Sequence, residues 1–540
     1  MHSILINGKI VTMDPLQPTA QAVAVKDGKF VKVGTNDEVS SFRNNRTEVI
    51  DLKGKMVVPG FIDSHMHLLS YGFSLEMADL NGVSSIDELI DSTRRFIGEK
   101  LLRPGQWILG RGWNHELFKT PRFPNRYDLD KISTEFPICL TRVCLHVCVV
   151  NSKALEIAGV NKNTPQVEGG YFDVDEIGEP LGVFRENAQC LIHNKIPQPR
   201  EEEINNIITD ASYLALKKGI TSIHTDDLGA LPGVDFQQII NAYQTLSENG
   251  QLPVRIYEQC LLPEMDMLSK FLASGYRTGQ GNEFFKIGPL KLLGDGSLGA
   301  RTAYLREPYS DDPNTRGIPV FTQQELDDLV LTAHNAEMQV AIHSIGDEIM
   351  VTALNSIEKA QKLNPRANAR HGIVHCQITD SELLDKFKAL NTIAYVQPVF
   401  VCSDWQIVEK RVGKCRAATS YNWKSLLDRG VPVAFGSDCP VEPFDVLPGI
   451  YASVTRQDLK GLPQGGWLPE QKLTIDEALY GFTMAGAYAS FEENIKGSIS
   501  PGKLADIAVL SKDLYEIPSD EIKDVEVEMT FVGGKLMVPK

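Results

Sequence analysis

Positive charge is scarce in this chain: 54 Lys and Arg stand against 70 Asp and Glu, for a net charge of −16 at pH 7. No basic run offsets that balance, so nucleic acid and anionic membrane surfaces are poor partners. Cysteine is sparse as well, with 9 in 540 residues. Cys144 and Cys148 lie four apart, not at C-x2-C spacing, and no second pair follows. Buried, reduced thiols in a cytoplasmic protein are therefore expected, and a disulfide framework or zinc knuckle is not. No stretch approaches the roughly 18 apolar residues that span a bilayer. The opening MHSILINGKIVTMD has neither a charged leader nor a long apolar run, which argues against a signal peptide. Internal repeats and low-complexity tracts are also missing. What remains is an ordinary globular composition, 42% hydrophobic and 23% charged, in a chain long enough for several domains or one large barrel with additions.

The first 58 residues read as short strands joined by tight turns, with Asn7-Gly8 and Asp27-Gly28 as hairpin signals. The end of the chain reads the same way: Ile507–Leu510 and Val525–Val532 are strand-like, and Gly533-Gly534 turns the latter into Lys535–Val538. Two strand-rich ends most simply pair into one small β-domain, 1–58 with 485–540, around a central domain at 59–484. Within that centre, apolar strands are predicted at Met56–Ile62, Ile220–His224, Val254–Gln259, Phe285–Leu293, Gln339–His343, Gly372–His375, Thr392–Gln397 and Pro432–Phe435. Helical patterns such as Glu202–Lys218, Thr322–Glu337 and Glu348–Leu363 separate them. Strands alternating with helices imply parallel pairing, and eight of them suggest an α/β fold of the (β/α)8 TIM-like kind. The alternative, a doubly wound open sheet, lacks a G-x-G-x-x-G after an early strand. The long gap at about 70–200 reads as an insertion over the barrel mouth, with strand-like runs such as Cys139–Val150.

The strongest chemical signal is Val58-Pro59-Gly60-Phe61-Ile62-Asp63-Ser64-His65-Met66-His67. Histidines at i and i+2 of a strand share one face, and at the lip of a barrel such a pair can chelate one cation. His343, His375 and Asp438 end later apolar strands in the same manner. Imidazole and carboxylate together suit zinc and its first-row relatives. Lys291 lies inside the apolar run Ile287–Leu293, where an unpaired ammonium would be costly. Either an acid such as Asp295 pairs with it, or burial neutralises it and the amine adds carbon dioxide, giving a carbamate that bridges two cations. The glycines of the following loop, Gly294–Thr302, allow close backbone approach to a ligand. Asp295 and Arg301 there are candidate substrate contacts, Arg301 for a carboxylate, although an exposed arginine on a structural turn fits equally well. Glu186 is a further candidate, as ligand or substrate contact, and His224 with Asp226 could line the pocket. Trp113 and His115 are weaker pocket candidates.

These residues resemble the amidohydrolase superfamily, in its YtcJ-like branch, which is similar to N-substituted formamide deformylases. The matching segments are PGFIDSHMH at 59–67, KLLGDGSLGARTA at 291–303, VAIHSIGD at 340–347, RHGIVHCQ at 370–377, FGSDCPVEPFDVLPGI at 435–450 and GKLADIAVL at 502–510. The resemblance implies a (β/α)8 barrel flanked by a β-sandwich built from both termini. It also implies His65 and His67 as the first-strand metal pair, Lys291 as a fourth-strand position often carboxylated, His343 and His375 as ligands, and Asp438 as the eighth-strand acid. His371 competes with His375, because relatives often read Ile-Glu-His before the ligand whereas Val374 precedes His375 here. The implied reaction is hydrolysis of a carbon–nitrogen bond, an amide or N-substituted formamide, by water activated on one or two divalent ions, zinc in first place. Asp438 would shuttle the proton and His375 would assist as ligand or donor. A cyclic amidase or deaminase on a heterocycle, or a non-catalytic binding relative, are the other readings. The expected partner is a small-molecule amide, and a homodimer is compatible with everything above.

Overall fold

Runs of Val, Ile, Leu and Phe too short for helices become strands covered on both sides, and covered strands pair in parallel. The computed structural model describes residues 2–538 apart from 100, 101, 103, 104, 145 and 232. Eight strands follow one another in sequence order: β1 (Phe61–Met66), β2 (Ile220–Thr225), β3 (Arg255–Leu261), β4 (Phe285–Leu293), β5 (Val340–Ser344), β6 (Gly372–His375), β7 (Ile393–Val396) and β8 (Val433–Phe435). All seven neighbouring pairs are parallel. Helices such as Phe236–Glu248, Gln323–Asn335 and Asp347–Leu363 lie between them in sequence. The result is a nearly closed (β/α)8 barrel of TIM type. Its edge strands meet at the rim, where the Asp438 N–H donates to the His65 carbonyl at 2.8 Å and the His67 N–H donates to the Cys439 carbonyl at 2.7 Å.

The predicted strand Met56–Ile62 is in fact two, Met56–Pro59 and β1, broken at Gly60. A Cβ on Gly60 would stand 2.3 Å from Thr221 Oγ1, so only glycine lets the chain pass β2 this closely. Met56–Pro59 belongs to a six-stranded sheet ordered Lys535–Val538, Val527–Val532, Ile507–Leu510, Met56–Pro59, Lys9–Val11, Thr19–Ala20. A four-stranded sheet holds Lys29–Gly34, Ala22–Lys26, His2–Ile6 and Glu48–Asp51. Leu5, Val23, Val57, Ile507, Val509 and Phe531 share one buried cluster, so side chains from both ends of the sequence build it. Asp27-Gly28 does turn a hairpin, but Asn7-Gly8 does not: the strands on either side of it lie in different sheets.

The chain divides into two compact units, Met1–Ser70 with Ile204–Lys540, and Tyr71–Glu203. The second contains a six-stranded mixed sheet ordered Gly170–Val174, Pro180–Glu186, Val147–Val150, Ile138–Arg142, Ile108–Trp113, Ala78–Asp79. The run Cys139–Val150 is therefore an antiparallel pair rather than one strand, and Leu145 within it lies outside the described residues. No helix among the described residues is long and apolar enough to cross a membrane.

Within the first unit, barrel and terminal strands are joined by buried charge. Arg255 on β3 meets Asp506 through Nε and Nη2, at 2.7 and 2.9 Å. Glu492 lies between Lys286 of β4 and Lys496, 2.6 Å from each. Burial alone would raise the Glu492 carboxyl, but Lys496 and Lys286 outweigh it and hold the group down to about 2. A folded-state value below the ordinary 4.5 contributes stability that is fully present above pH 4.5 and is lost as the pH falls toward 2. The contribution is about 3 kcal/mol at neutral pH. Urea titrations at pH 7 and pH 3 should show the Glu492→Gln variant losing about 2 kcal/mol less stability on acidification than the parent, the remainder of the contribution being lost only below pH 3. An identical acid sensitivity in the two proteins would remove Glu492 from the account.

Candidate metal centre

The polar residues that close the apolar strands project into one space at the C-terminal rim. His65 and His67 stand on alternate positions from the end of β1, and their rings are 5.3 Å apart in an edge-on arrangement. Asp438, just past β8, places Oδ1 at 3.2 Å from His65 Nε2 and 3.0 Å from His67 Nε2. These three residues offer ligand atoms that all lie within 4.8 Å of one another. Asp438 Oδ2 takes no hydrogen bond among the described residues. The His375 ring lies 5.6 Å from His65 and 4.4 Å from His343, so these two imidazoles flank the cluster.

Backbone strain marks the same place. Asp438 has φ 61° and His375 has φ 79°, both in the left-handed region that side chains with a Cβ seldom adopt. For Asp438 the conformation is held by the rim hydrogen bond to His65 described above, and it turns the carboxylate back over β1.

Lys291 is fully buried, and its partner is Asp226 at 2.9 Å rather than Asp295. Its amine also lies 3.3 Å from His65 Nε2. Asp226 in turn contacts His67 Nδ1. Lys291 thus matches Asp226, while Asp438 meets the His65 and His67 imidazoles in the same buried space. Burial would raise both acids, but Lys291, His67, His375 and His65 hold them well below the usual carboxylate range. The negative charge left over pulls protons onto His67: burial alone would lower it, and Asp226 and Asp438 together raise it to about 10. His65 and His375 move the other way, chiefly through burial, and stay neutral as ligands must. A divalent cation is what such a donor set fits: imidazole nitrogens, a carboxylate oxygen and uncompensated negative charge.

Two glutamines orient the rings. His65 Nδ1 donates to Gln259 Oε1 and His375 Nδ1 to Gln397 Oε1, each at 2.7 Å, which leaves both Nε2 atoms for an ion. Gln397 just follows β7, at a strand end like the histidines, whereas Gln259 lies within β3, two residues before its end. Asp63, two residues before His65, accepts from the His65 and Ser437 N–H groups, and burial pushes it up to about 7.

The remaining candidates separate. His371 lies away from the cluster: its Nε2 bonds His334 Nδ1 at 2.8 Å and its Nδ1 accepts from the Val340 N–H, so His375 is the strand-end residue. Asp295 is a tie between loops, accepting from the N–H groups of Tyr304, Ile345 and Gly346, with His343 Nε2 at 3.3 Å. Both its oxygens are taken, which leaves little for a substrate. Arg301 is held by Asp311 through two hydrogen bonds of 3.0 and 2.9 Å. His224 is fully enclosed one step deeper in the barrel than Asp226; neither ring nitrogen has a partner among the described residues, and burial pushes it down to about 3. Glu186 pairs with His146 at 2.8 Å within the second unit, where Trp113 and His115 also lie, their rings 6.5 Å apart.

The model of the amidohydrolase family matches residues 48–538. The protein YtcJ of Bacillus subtilis (strain 168), which bears an amidohydrolase name, is 33% identical over the full length of both chains. An N-substituted formamide deformylase of Arthrobacter pascens is 25% identical, over 99% of this chain and 97% of its own. A crystal structure of a metal-dependent hydrolase from Pyrococcus horikoshii superposes with a TM-score of 0.79 at 31% identity, over 96% of this chain and 99% of that one. Matched along nearly its whole length, the chain belongs to the amidohydrolase family, in the YtcJ-like branch.

Proposed function

We propose that this protein hydrolyses a carbon–nitrogen bond in a small amide, with an N-substituted formamide as the leading substrate class. The observation that carries the reading is the convergence of His65, His67 and Asp438, residues from opposite ends of the barrel's strand order, within 4.8 Å. His65, His67 and Asp438 would hold one cation, with His375 and His343 at its flank. Zinc is the proposed ion because two imidazoles and a carboxylate are donors it favours. When bound, it supplies the Lewis acidity that acidifies water and polarises a carbonyl. The formamide assignment draws on the named activity of the Arthrobacter relative. A cytoplasmic setting is supported by nine cysteines, none of them bridged.

The chain's own part is proton transfer and orientation. Water adds to the carbonyl carbon while Asp438 Oδ2 accepts its proton. The same carboxyl then protonates the departing nitrogen, so amide and water become acid and amine. Gln259 and Gln397 keep the two imidazoles in one tautomer throughout. Lys291 neutralises Asp226 and so fixes the floor of the site. For Lys291 to bridge a second ion as a carbamate, it would have to leave Asp226 and take up carbon dioxide.

Three measurements check this reading. Asp438→Asn should lower kcat by about 10²–10⁴-fold on every accepted substrate, the range for loss of a general acid–base group, with bound metal retained. Full turnover by that variant would end the shuttle role. A panel of N-substituted formamides, N-acyl amino acids and cyclic ureas assigns the substrate, and preference for a cyclic urea would favour a cyclic amidase instead. Lys291→Met should cost about 3 kcal/mol of stability by stranding the Asp226 carboxylate. Replacing both residues with apolar ones should recover most of that stability without restoring activity. If the single variant is as stable as the parent, the pair has no such role.

A further inference from the structure

The inserted unit carries a second group of metal-binding side chains with different chemistry. Cys139 lies on Ile138–Arg142 and Cys148 on Val147–Val150, an antiparallel pair. His193 closes the short helix Cys190–His193. Their sulfurs and an imidazole nitrogen lie within 4.8 Å of one another, the thiols buried and the imidazole exposed. Around the thiols the core is uncharged, made of Val150, Phe172, Phe184, Ala188 and Ile192.

A disulfide fits this register poorly. Cys139 pairs with Val150 and Cys148 with Thr141, so the two cysteines share a face but are diagonal neighbours. Diagonal positions stand roughly 7–8 Å apart, at or beyond the limit of about 7 Å that a disulfide bridges without backbone movement. A metal ion reaches both sulfurs from such a separation, because it adds two bonds of about 2.3 Å between them.

We propose that Cys139, Cys148 and His193 form a zinc site that ties the Cys190–His193 helix to the adjoining strand pair, with water at the exposed fourth position. Binding exchanges two thiol protons for the ion and releases them to solvent. Two thiolates and an imidazole select zinc over magnesium or calcium. This site lies wholly within Tyr71–Glu203 and does not rest on the hydrolytic reading.

The test uses the full-length protein loaded with zinc or cobalt. Cobalt-loaded parent protein should show sulfur-to-cobalt charge-transfer absorption, which the cysteine-free His65–His67–Asp438 site cannot supply. Cys139→Ser and Cys148→Ser should each abolish that absorption and lower zinc content by one ion per chain. A His67→Ala variant should leave the absorption in place while removing the other ion. Because His193 is exposed, His193→Ala spares the core and should weaken zinc retention against a chelator about tenfold or more. Absorption that is missing from the parent, or that survives both serine substitutions, overturns the site. So does a Cys139–Cys148 disulfide found by mass spectrometry in protein purified with reductant, or unchanged zinc retention in His193→Ala.

Discussion

The site exists because β1 and β8, the two edges of the barrel's strand order, meet at their C-terminal tips. Two backbone hydrogen bonds make that junction, and they run between the residues that matter: Asp438 N–H to His65 and His67 N–H to Cys439. Gly436 packs so closely on β1 that a Cβ there would stand 2.6 Å from the His65 nitrogen. Closure of the barrel and assembly of the His65–His67–Asp438 cluster are therefore one event. A change that loosens the rim would disperse the ligands without touching any of them.

Charge follows from that closure. Bringing Asp438 against His65 and His67 puts a second carboxylate beside Asp226, in a space where each must find a partner or be expelled. Lys291 answers for one of them. The other carboxylate shares its oxygen between two imidazoles, an arrangement that holds together only with added positive charge, whether a proton on His67 or a cation. The barrel rim thus calls for one added positive charge, and the glutamines on β3 and after β7 decide which ring nitrogens face that space.

Much of this was legible in the sequence because apolar strands and their polar last residues are local patterns. Two of the eight strands, Phe285–Leu293 and Gly372–His375, fall at the predicted bounds, and most others shift by a residue or two. The same pattern led to the histidines and to Asp438. What escaped was partnership. Lys291 pairs with Asp226, 65 positions away, rather than with nearby Asp295, because strand register decides neighbours and spacing does not. Asp295 and Arg301 looked like substrate contacts because they lie beside the site, yet loop-tying hydrogen bonds and an ion pair with Asp311 occupy them. Asn7-Gly8 carries a strong turn signal, but a change of sheet uses the same positive φ as a hairpin. Cys139, Cys148 and His193 have no motif spacing at all, and only a sheet diagonal and a short helix bring them together.

The two ligand groups also sort themselves by hardness. Nitrogen and oxygen donors at the barrel rim suit an ion that must keep places open for water and a carbonyl, and Asp438 can carry a proton because a carboxylate releases one readily. Sulfur donors in an uncharged core set the proposed second site apart from the rim. Two thiolates there would bind zinc tightly and donate charge to it, with the exposed His193 and the water place on the solvent side. The two sites thus differ in donor softness, nitrogen and oxygen at the barrel rim against sulfur in Tyr71–Glu203.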